Sequence, residues 1–215
     1  MSFVGGSVLA KEDASLRNRA QVIEKDGTYS RHDDKIHRIG LIGEDKYLDR
    51  GDKRLLFTMD GVVIGIIICY DLRFCELARV LALEGAGMLI VSAEWPTSRI
   101  YAWDALLQAR AAENQMYVVG CNRCGKSDAE NFGGSSMIAG PDGKIMVQAG
   151  LEEETLVAVV DTKRPKELRK AIPLFKDRVA AGQPVDFREG GEVTRMINAF
   201  ASEAKAMNEL YKKSQ

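Results

Sequence analysis

The sequence predicts an α/β protein with a mixed sheet, in which two sheets face each other and helices lie outside them. Two observations lead to this fold class. Apolar strand patterns alternate with helical patterns in the middle of the chain, and hairpin signals flank that part on both sides. Apolar residues make up 46% of the 215 residues and charged residues 28%, so a sizeable core is expected and disorder is not.

Strands and tight turns are predicted for the first part of the chain. The stretches "FVGGSVLA" and "NRAQVIE" are short and rich in strand-forming residues, and Asp26-Gly27 is a turn signal after the second one. Asp60-Gly61 repeats this signal in "RLLFTMDGVVIGIIIC". The arm that follows, residues 62–68, is apolar on both faces, which is typical of a central strand.

Helices and strands then alternate. Residues 75–84 show a broad apolar helical face, and "TSRIYAWDALLQARAAENQ" predicts a second helix with Thr97 or Ser98 as its N-cap. Further strands are predicted in "GMLIVSA", "MYVVGCN" and "TLVAVVD", a hairpin in "SSMIAGPDGKIMVQAG", and a short helix in "KRPKELRKAI".

The end of the chain has a different pattern. The apolar residues of "GGEVTRMINAFASEAKAMNELYKKSQ" fall on one helical stripe after Gly190-Gly191. We therefore divide the chain into a main domain, residues 1–187, and a C-terminal amphipathic helix extension, residues 188–215. This helix is expected to pack on the main domain or on a second subunit rather than to enter a membrane.

Charge and composition exclude several classes of partner. The formal net charge is -1 and no face is obviously basic, so no nucleic-acid partner is expected. The longest apolar runs are too short to span a bilayer, and "MSFVGGSVLAKEDAS" lacks the regions of a signal peptide. Four cysteines are too few for a disulfide scaffold, so a reduced, cytoplasmic protein is the simpler expectation.

Cys121 and Cys124 form a C-x2-C pair in "VVGCNRCGKS". A zinc site needs two further ligands, and the only histidines, His32 and His37, lie at no recognised ligand spacing. We therefore predict no metal here and interpret the pair as a strand end that enters a turn. A redox or zinc module is the alternative that this pair leaves open.

Cys69 is the main candidate for chemistry. It ends the apolar strand in "GIIICYDLRFCELAR", where side chains emerge at the carboxyl edge of a sheet, and the chain then turns into a helix. Such a turn exposes a nucleophile and directs backbone N–H groups at it. The polar "YDLR" beside it indicates a cleft, although a buried structural cysteine is the common alternative.

A thiol nucleophile needs a nearby cation or a base, because the thiolate is the reactive form. His32 and His37 could serve, but residues 31–53 are dense in charge and also contain regularly placed isoleucines and leucines. This pattern indicates charges that are held inside the protein. Lys35 and Glu44 are the candidates for such buried charges.

The stretch "HDDKIHRIGLIGEDKYLDRGD" followed by "GIIICYDLRFCEL" resembles the nitrilase superfamily, the carbon-nitrogen hydrolases, and in particular its omega-amidase-like branch. Four other stretches are also similar to family motifs, in the family's order: "SAEWP", "YAWDALLQARAAENQMYVVGCNRCG", "GGSSMIAGPDGKIM" and "RKAIPLFKDR". The resemblance covers residues 4–178. Its motifs are specific for the family and weakly informative about the substrate.

The resemblance implies a four-layer αββα sandwich with a Glu–Lys–Cys triad and a second glutamate nearby. It implies hydrolysis of a small amide, of the omega-amide type, with release of ammonia through a thioester and without a metal or organic cofactor. Other aliphatic amides, N-carbamoyl amines and nitriles stay open as substrates. A homodimer that pairs through the helix at residues 75–84 is also implied.

By the same resemblance, Cys69 corresponds to the nucleophile, Lys35 to the catalytic lysine and Glu44 to the second glutamate. Lys35 would favour the thiolate and would stabilise the oxyanion together with the backbone N–H of Tyr70. On this basis we expect Cys69 to alkylate faster than the other three thiols.

Four further positions match the family with supporting or binding roles. Arg73 is expected to pair with a buried carboxylate. Glu113, with Asn114, is expected to anchor a helix end behind the site. Trp95 is expected to line the substrate pocket, with a place in the core as the equally common alternative for a large aromatic residue.

One family feature has no counterpart in the sequence. The general-base glutamate precedes the lysine by a long way in the family, but the glutamates ahead of Lys35 are Glu12 and Glu24, in turn-like, solvated contexts. The first strand-helix-strand unit of the sandwich is therefore expected to be lacking. The alternative function is a catalytically impaired relic or an assembly subunit.

Overall fold

The computed structural model describes residues 1–128 and 130–178. The predicted boundary at residue 187 and the predicted helix over residues 188–215 lie outside the described residues. In the part that is described, no helix has the length and apolar character needed to cross a membrane.

The first sheet contains three antiparallel strands in sequence order: β1 (Phe3–Glu12), β2 (Ser15–Ile23) and β3 (Tyr29–Asp34). The predicted strands and the turn at Asp26-Gly27 are confirmed here, and Gly27 adopts a positive φ of 86° that suits a tight turn. Within the described residues, β1 pairs with β2 alone, so its other edge is free.

The second sheet has six strands in the order β11-β10-β7-β6-β5-β4. Its strands are β4 (Leu56–Met59), β5 (Val62–Ile68), β6 (Met88–Ala93), β7 (Tyr117–Asn122), β10 (Met137–Ala139) and β11 (Ile145–Gln148). Strands β5, β6 and β7 are parallel, and hairpins add antiparallel strands on both sides. This mixed sheet is the one predicted, with β5 buried on both faces as expected for a central strand.

Hairpins and helices complete the described fold. A small two-stranded sheet pairs β8 (Cys124–Lys126) with β9 (Asn131–Gly133). The helices are α1 (Glu44–Tyr47), α2 (Cys75–Leu83), α3 (Ile100–Asn114) and α4 (Arg164–Ala171). Pro165 lies in the first turn of α4, where its missing N–H costs no helical hydrogen bond.

Two apolar layers cover the faces of the six-stranded sheet. One layer packs α2 and α3 on the sheet through large buried side chains such as Leu81, Trp103 and Leu107. The other layer packs Ala20 and Val22 of β2 on the isoleucines of β5. The sheets therefore face each other with helices outside the larger sheet, as predicted.

Gly120 lets α3 approach the sheet closely. A Cβ at this position of β7 would lie 2.5 Å from Leu107 Cδ1 and 2.7 Å from Trp103 Cζ2. Such distances are far inside van der Waals contact, so a larger residue here would force the side chains of Leu107 and Trp103 to shift.

Two sequence predictions about local structure are wrong. Thr97 and Ser98 are not the N-cap of α3, because a short 3-10 turn, Thr97–Arg99, precedes the helix and Arg99 takes the cap position without a side-chain bond. The stretch "TLVAVVD" is not a strand. Within the described residues, no backbone hydrogen bond involves residues 153–160, and Val157 and Val159 are 81% and 93% exposed. The apolar alternation is there, but the strand partner that it requires is not among the described residues.

Candidate active site

Cys69 lies at the first position of a short 3-10 turn, Cys69–Arg73, directly after β5. Its φ is 48°, in the left-handed region that side chains other than glycine rarely adopt. Such a conformation costs of order 1–3 kcal/mol and tends to occur at active sites. The residue is partly buried and directly follows the last residue of β5, so it lies at the carboxyl end of this strand, where the sequence predicts it.

Lys35 and Glu44 form a buried, bidentate ion pair. Lys35 follows β3, and its Nζ lies 2.7 Å from both carboxylate oxygens of Glu44, the first residue of α1. Their side chains are only 4% and 11% exposed. Glu44 Oε2 also accepts a hydrogen bond of 2.7 Å from the N–H of Ile39. The expectation that these two charges lie inside the protein is met.

The charge of Lys35 acts on Cys69. Burial raises the pKa of the Cys69 thiol above its ordinary value, while the Lys35 ammonium and the backbone N–H of Glu94 favour the thiolate. The carboxylates of Glu44 and Asp71 oppose the thiolate. Because burial outweighs the cation, the raised pKa leaves the thiol largely protonated near neutral pH. This argues against Cys69 as the fastest thiol to alkylate, since Cys75 and Cys121 are exposed.

Asp71 joins the two segments that carry Lys35 and Cys69. Its side chain is 2% exposed. One carboxylate oxygen accepts hydrogen bonds from the backbone N–H and the Nδ1 of His37, at 2.7 and 2.8 Å. The other oxygen accepts one of 3.1 Å from the N–H of Ile68. Burial raises the pKa of Asp71, and the bonds from His37 and Ile68 act in the opposite direction.

His37 is held in place from two sides. Its ring stacks on Phe74 with 3.6 Å between ring centroids, and Tyr70 meets Phe74 edge-on at 5.3 Å. The backbone N–H of Tyr70, predicted to stabilise an oxyanion, belongs to the same 3-10 turn as Cys69. From the sequence, His37 was a possible partner for the thiol, but in the structure its ring is hydrogen-bonded to Asp71.

Asp33 is a second buried carboxylate in this region and lies on β3 opposite Ala20 of β2. It is 7% exposed. Burial and the nearby charge of Asp71 raise its pKa to about 7, and a hydrogen bond from the backbone of Leu55 partly offsets this. Asp71 was missed as a functional candidate; its place between Tyr70 and Leu72 in "CYDLR", directly after an apolar strand, is the signal that could have indicated it.

Glu113 supports the turn of Cys69 through Arg110. The guanidinium of Arg110 donates to the carbonyl oxygen of Leu72 through Nε and Nη2, at 3.2 and 2.9 Å. Its Nη1 donates to Glu113 at 2.9 Å, and Asn114 Nδ2 donates back to the Arg110 carbonyl at 3.0 Å. Glu113 thus lies at the end of α3 behind the 3-10 turn, where the sequence predicts it.

The prediction that Arg73 pairs with a buried carboxylate is wrong. Arg73 is exposed, and among the described residues it forms no ion pair; its guanidinium lies over the ring of Trp95, 4.9 Å from the centroid. The buried carboxylate nearest to it in sequence, Asp71, is already satisfied by N–H donors. Stacking on an aromatic face leaves the guanidinium hydrated, so no buried partner is required.

Trp95 lies in the core, which is the alternative that the sequence left open. It is 3% exposed and packs against Trp103 with 5.6 Å between ring centroids. Its backbone is clamped by Asn122, which accepts from the Trp95 N–H at 2.6 Å and donates to the Trp95 carbonyl at 3.2 Å. Asn122 ends β7 beside the site and was missed, because an amide at a strand end carries no distinctive sequence signal.

The remaining cysteines are free thiols: Cys75 and Cys121 are exposed and Cys124 is partly buried. Over residues 1–128 and 130–178, no three or more His, Cys, Asp or Glu side chains are grouped as a metal site would require. Cys121 lies within β7 and Cys124 begins β8, with one residue between the two strands, so the pair spans two successive strands and not the expected strand end that enters a turn.

Comparison with known proteins places this chain in a family. The family model for carbon-nitrogen hydrolases matches residues 1–170. The 2-oxoglutaramate amidase of Bacillus subtilis is 37% identical over 175 residues, which are 81% of this chain and 68% of that protein. The omega-amidase NIT2 of Bos taurus is 31% identical over 187 residues, 83% of this chain and 68% of its own.

Solved structures agree with the sequence comparison. The CN-hydrolase superfamily protein XC1258 of Xanthomonas campestris has a TM-score of 0.78 at 27% identity, over 85% of this chain and 71% of that one. Nit3 of Saccharomyces cerevisiae, a member of the nitrilase superfamily, has a TM-score of 0.77 at 30% identity, over 83% and 66%. The chain thus spans roughly two thirds of the length of these relatives. It belongs to the carbon-nitrogen hydrolase family, the nitrilase superfamily, in its omega-amidase-like branch.

Proposed function

We propose that this chain is an amidase-type hydrolase that cleaves the C–N bond of a small omega-amide with Cys69 as its nucleophile. The observation that carries the proposal is the convergence of three separate stretches. The end of β5 presents Cys69, the residue after β3 supplies Lys35, and the start of α1 supplies Glu44. Relatives that are named 2-oxoglutaramate amidase and omega-amidase support the substrate class.

In the proposed reaction, the Cys69 sulfur attacks the amide carbonyl and its proton passes to the departing nitrogen. The C–N bond breaks, ammonia leaves, and the acyl group remains on sulfur as a thioester. Water then adds to the thioester carbonyl, the carboxylic acid departs, and the thiol regains its proton. No metal or organic cofactor is needed for these steps.

Lys35 has two roles in this proposal. Its ammonium favours the thiolate of Cys69, against the raised pKa that burial gives the thiol. It also faces the negative charge that forms on the carbonyl oxygen during attack, together with a backbone N–H of the turn, that of Tyr70. Both carboxylate oxygens of Glu44 accept from the Lys35 ammonium, so the position of this charge is fixed although the lysine side chain is long and flexible.

One observation favours the alternative of a catalytically impaired chain. The two carboxylates that act on the Cys69 thiol are Glu44 and Asp71. Glu44 is paired with Lys35 and Asp71 accepts from N–H donors, and in the described contacts neither carboxylate forms a hydrogen bond with the thiol. General-base catalysis contributes about 10²–10⁴-fold. Without a base, the chain would bind and acylate slowly and serve as a relic or an assembly subunit.

The deciding experiment measures ammonia release from 2-oxoglutaramate and from simpler omega-amides, with Cys69→Ala as the control. Ammonia that depends on Cys69, together with an acyl adduct on Cys69 in intact-protein mass spectra, would support the amidase. An adduct without turnover would support the impaired alternative. If there were neither an adduct nor turnover with any omega-amide, the substrate class proposed here would be wrong.

The pairing of two chains through α2 and a cytoplasmic location stay predictions. Sedimentation of the purified chain tests the first of these. A Leu83→Lys variant on the exposed side of α2 is the corresponding probe, because Leu83 is 41% exposed and a charge there would oppose pairing.

A further inference from the structure

The carboxylate of Asp71 bridges two segments that are far apart in the sequence. Its Oδ1 accepts from the His37 backbone N–H at 2.7 Å, two residues after Lys35. Its Oδ2 accepts from the Ile68 N–H at 3.1 Å, directly before Cys69, and lies 3.5 Å from the N–H of Ile36. The two oxygens therefore fix the distance between the backbone segment that carries Lys35 and the backbone segment that carries Cys69.

This bridge is rigid for three reasons. Asp71 is 2% exposed, so competing water is largely excluded. His37 donates a second bond to Oδ1 through Nδ1 at 2.8 Å, and its ring is fixed by stacking on Phe74 at 3.6 Å. Hydrogen bonds from N–H donors to a carboxylate are about twice as strong as bonds between neutral groups.

We propose that Asp71 is a positioning residue that sets the separation between the Lys35 ammonium and the Cys69 sulfur. The inference rests on the proposed roles of Lys35 and Cys69 and adds the element that holds them together. Asp71 itself touches neither the thiol nor the ammonium in the described contacts, and it acts through the backbone of Ile68 and of His37.

The sign of one measurement separates positioning from a simple charge effect. The negative charge of Asp71 opposes the Cys69 thiolate, in the same direction as Glu44, while Lys35 favours it. Removing the charge of Asp71 by itself would therefore make the thiol more reactive. Loss of positioning would instead move the ammonium away from the sulfur and make the thiol less reactive.

The experiment compares wild type with Asp71→Asn. The rate of iodoacetamide addition to Cys69 is followed by peptide mass spectrometry from about pH 6 to about pH 10, a range around the ordinary thiol pKa. Exposed Cys75 serves as the internal reference in each sample. We expect Cys69 in the variant to react about three- to tenfold more slowly below its pKa, as a rise of one pKa unit implies.

Two further variants make the result specific. Asp33→Asn is the matched control: Asp33 is another buried carboxylate near Asp71, and no described hydrogen bond joins it to the backbone of His37 or Ile68. It should leave the relative rate of Cys69 unchanged or slightly higher. In a Lys35→Met background, Asp71→Asn should no longer slow Cys69, because the ammonium to be positioned is gone.

Asp71→Asn could fail to fold, and Asp71→Glu then decides. Glutamate keeps the charge and the acceptors but is longer by one methylene, so positioning predicts slower alkylation and a pure charge effect predicts no change. Unchanged or faster alkylation in the folded Asp71 variants would overturn the inference. The readout is alkylation of the thiol and requires no amide hydrolysis, so a failure of the proposed amidase activity would be seen separately.

Discussion

The Lys35–Glu44 pair allows one stability prediction to be worked from the geometry. At 2.7 Å, and with an effective dielectric constant of about 20, two unit charges attract by about 6 kcal/mol. Much of this is offset by the cost of taking both charges out of water. Removing one partner leaves the other buried and unpaired, which costs about 3–5 kcal/mol. Since a domain of this size is stable by about 5–15 kcal/mol, the effect is large.

The perturbations are Lys35→Met and Glu44→Gln, alone and together, measured by urea denaturation near neutral pH. Each single variant should lose about 3–5 kcal/mol, and the double variant should lose clearly less than the sum. Glutamine retains an acceptor for the N–H of Ile39, so the loss in Glu44→Gln reports mainly the unpaired ammonium.

A surface ion pair provides the matched control. Lys25 binds Asp60, but both side chains are well exposed, at 60% and 65%. Lys25→Met should therefore have little measurable effect on unfolding. If the Lys35 and Glu44 variants were as stable as Lys25→Met, or if the double variant simply summed the two single losses, the reasoning about a buried, coupled pair would be refuted.

Three other predictions follow from buried groups and close contacts. At neutral pH, exposed Cys75 and Cys121 should alkylate before Cys69, because burial raises the pKa of Cys69; peptide mapping of a short iodoacetamide pulse that found Cys69 modified first would contradict this. Gly120→Ala should destabilise the fold by about 1–3 kcal/mol in urea denaturation. Gly6→Ala is the control and should have no such effect, because a Cβ there meets nothing within 4 Å. Equal losses in the two variants would rule out the contact with α3 as the cause. Asp33 has a pKa of about 7 in the folded state, against an ordinary value of 3.8. Between these two values the folded state binds this proton and the unfolded state does not. The free energy of unfolding should therefore fall as pH rises from about 4 to about 7, by at most about 4 kcal/mol. Asp33→Asn should flatten that part of the stability profile, and an unchanged slope in the variant would show that Asp33 is not its source.

Local signals in the sequence predicted much of the fold. Asp60-Gly61 forms the turn between β4 and β5, with positive φ at both residues, because the twist of a two-residue hairpin loop requires it. Cys69 was predicted at a strand end because a run of isoleucines stops there and charged residues begin. Lys35 and Glu44 were singled out because residues 31–53 combine dense charge with isoleucines and leucines, a pattern that indicates charges held inside the protein, and both side chains are largely buried.

The parts that could not be predicted depend on contacts between distant segments. His37 and Asp71 are 34 residues apart, and neither residue by itself indicates that one oxygen of Asp71 accepts two bonds from His37. Arg73 was assigned a buried partner because a charge near a core usually has one, but the ring of Trp95 happens to lie beside it. Residues 155–160 have the composition of a strand, and a strand also needs a neighbour, which composition does not reveal.

Residues 153–160 and one edge of β1 have no strand partner in the part of the chain that the structure describes, and this has a practical consequence for work with the protein. Each of these two segments has rows of backbone N–H and C=O groups without a strand partner and exposed apolar side chains beside them. The exposed side chains are Val157 and Val159 in residues 153–160, and Leu9 in β1. Natural proteins usually block such rows with charges, prolines or bulges, because other chains add to them. Association of this chain should therefore increase with concentration, and dilute samples kept cold and examined soon after purification are the appropriate material for every assay described above.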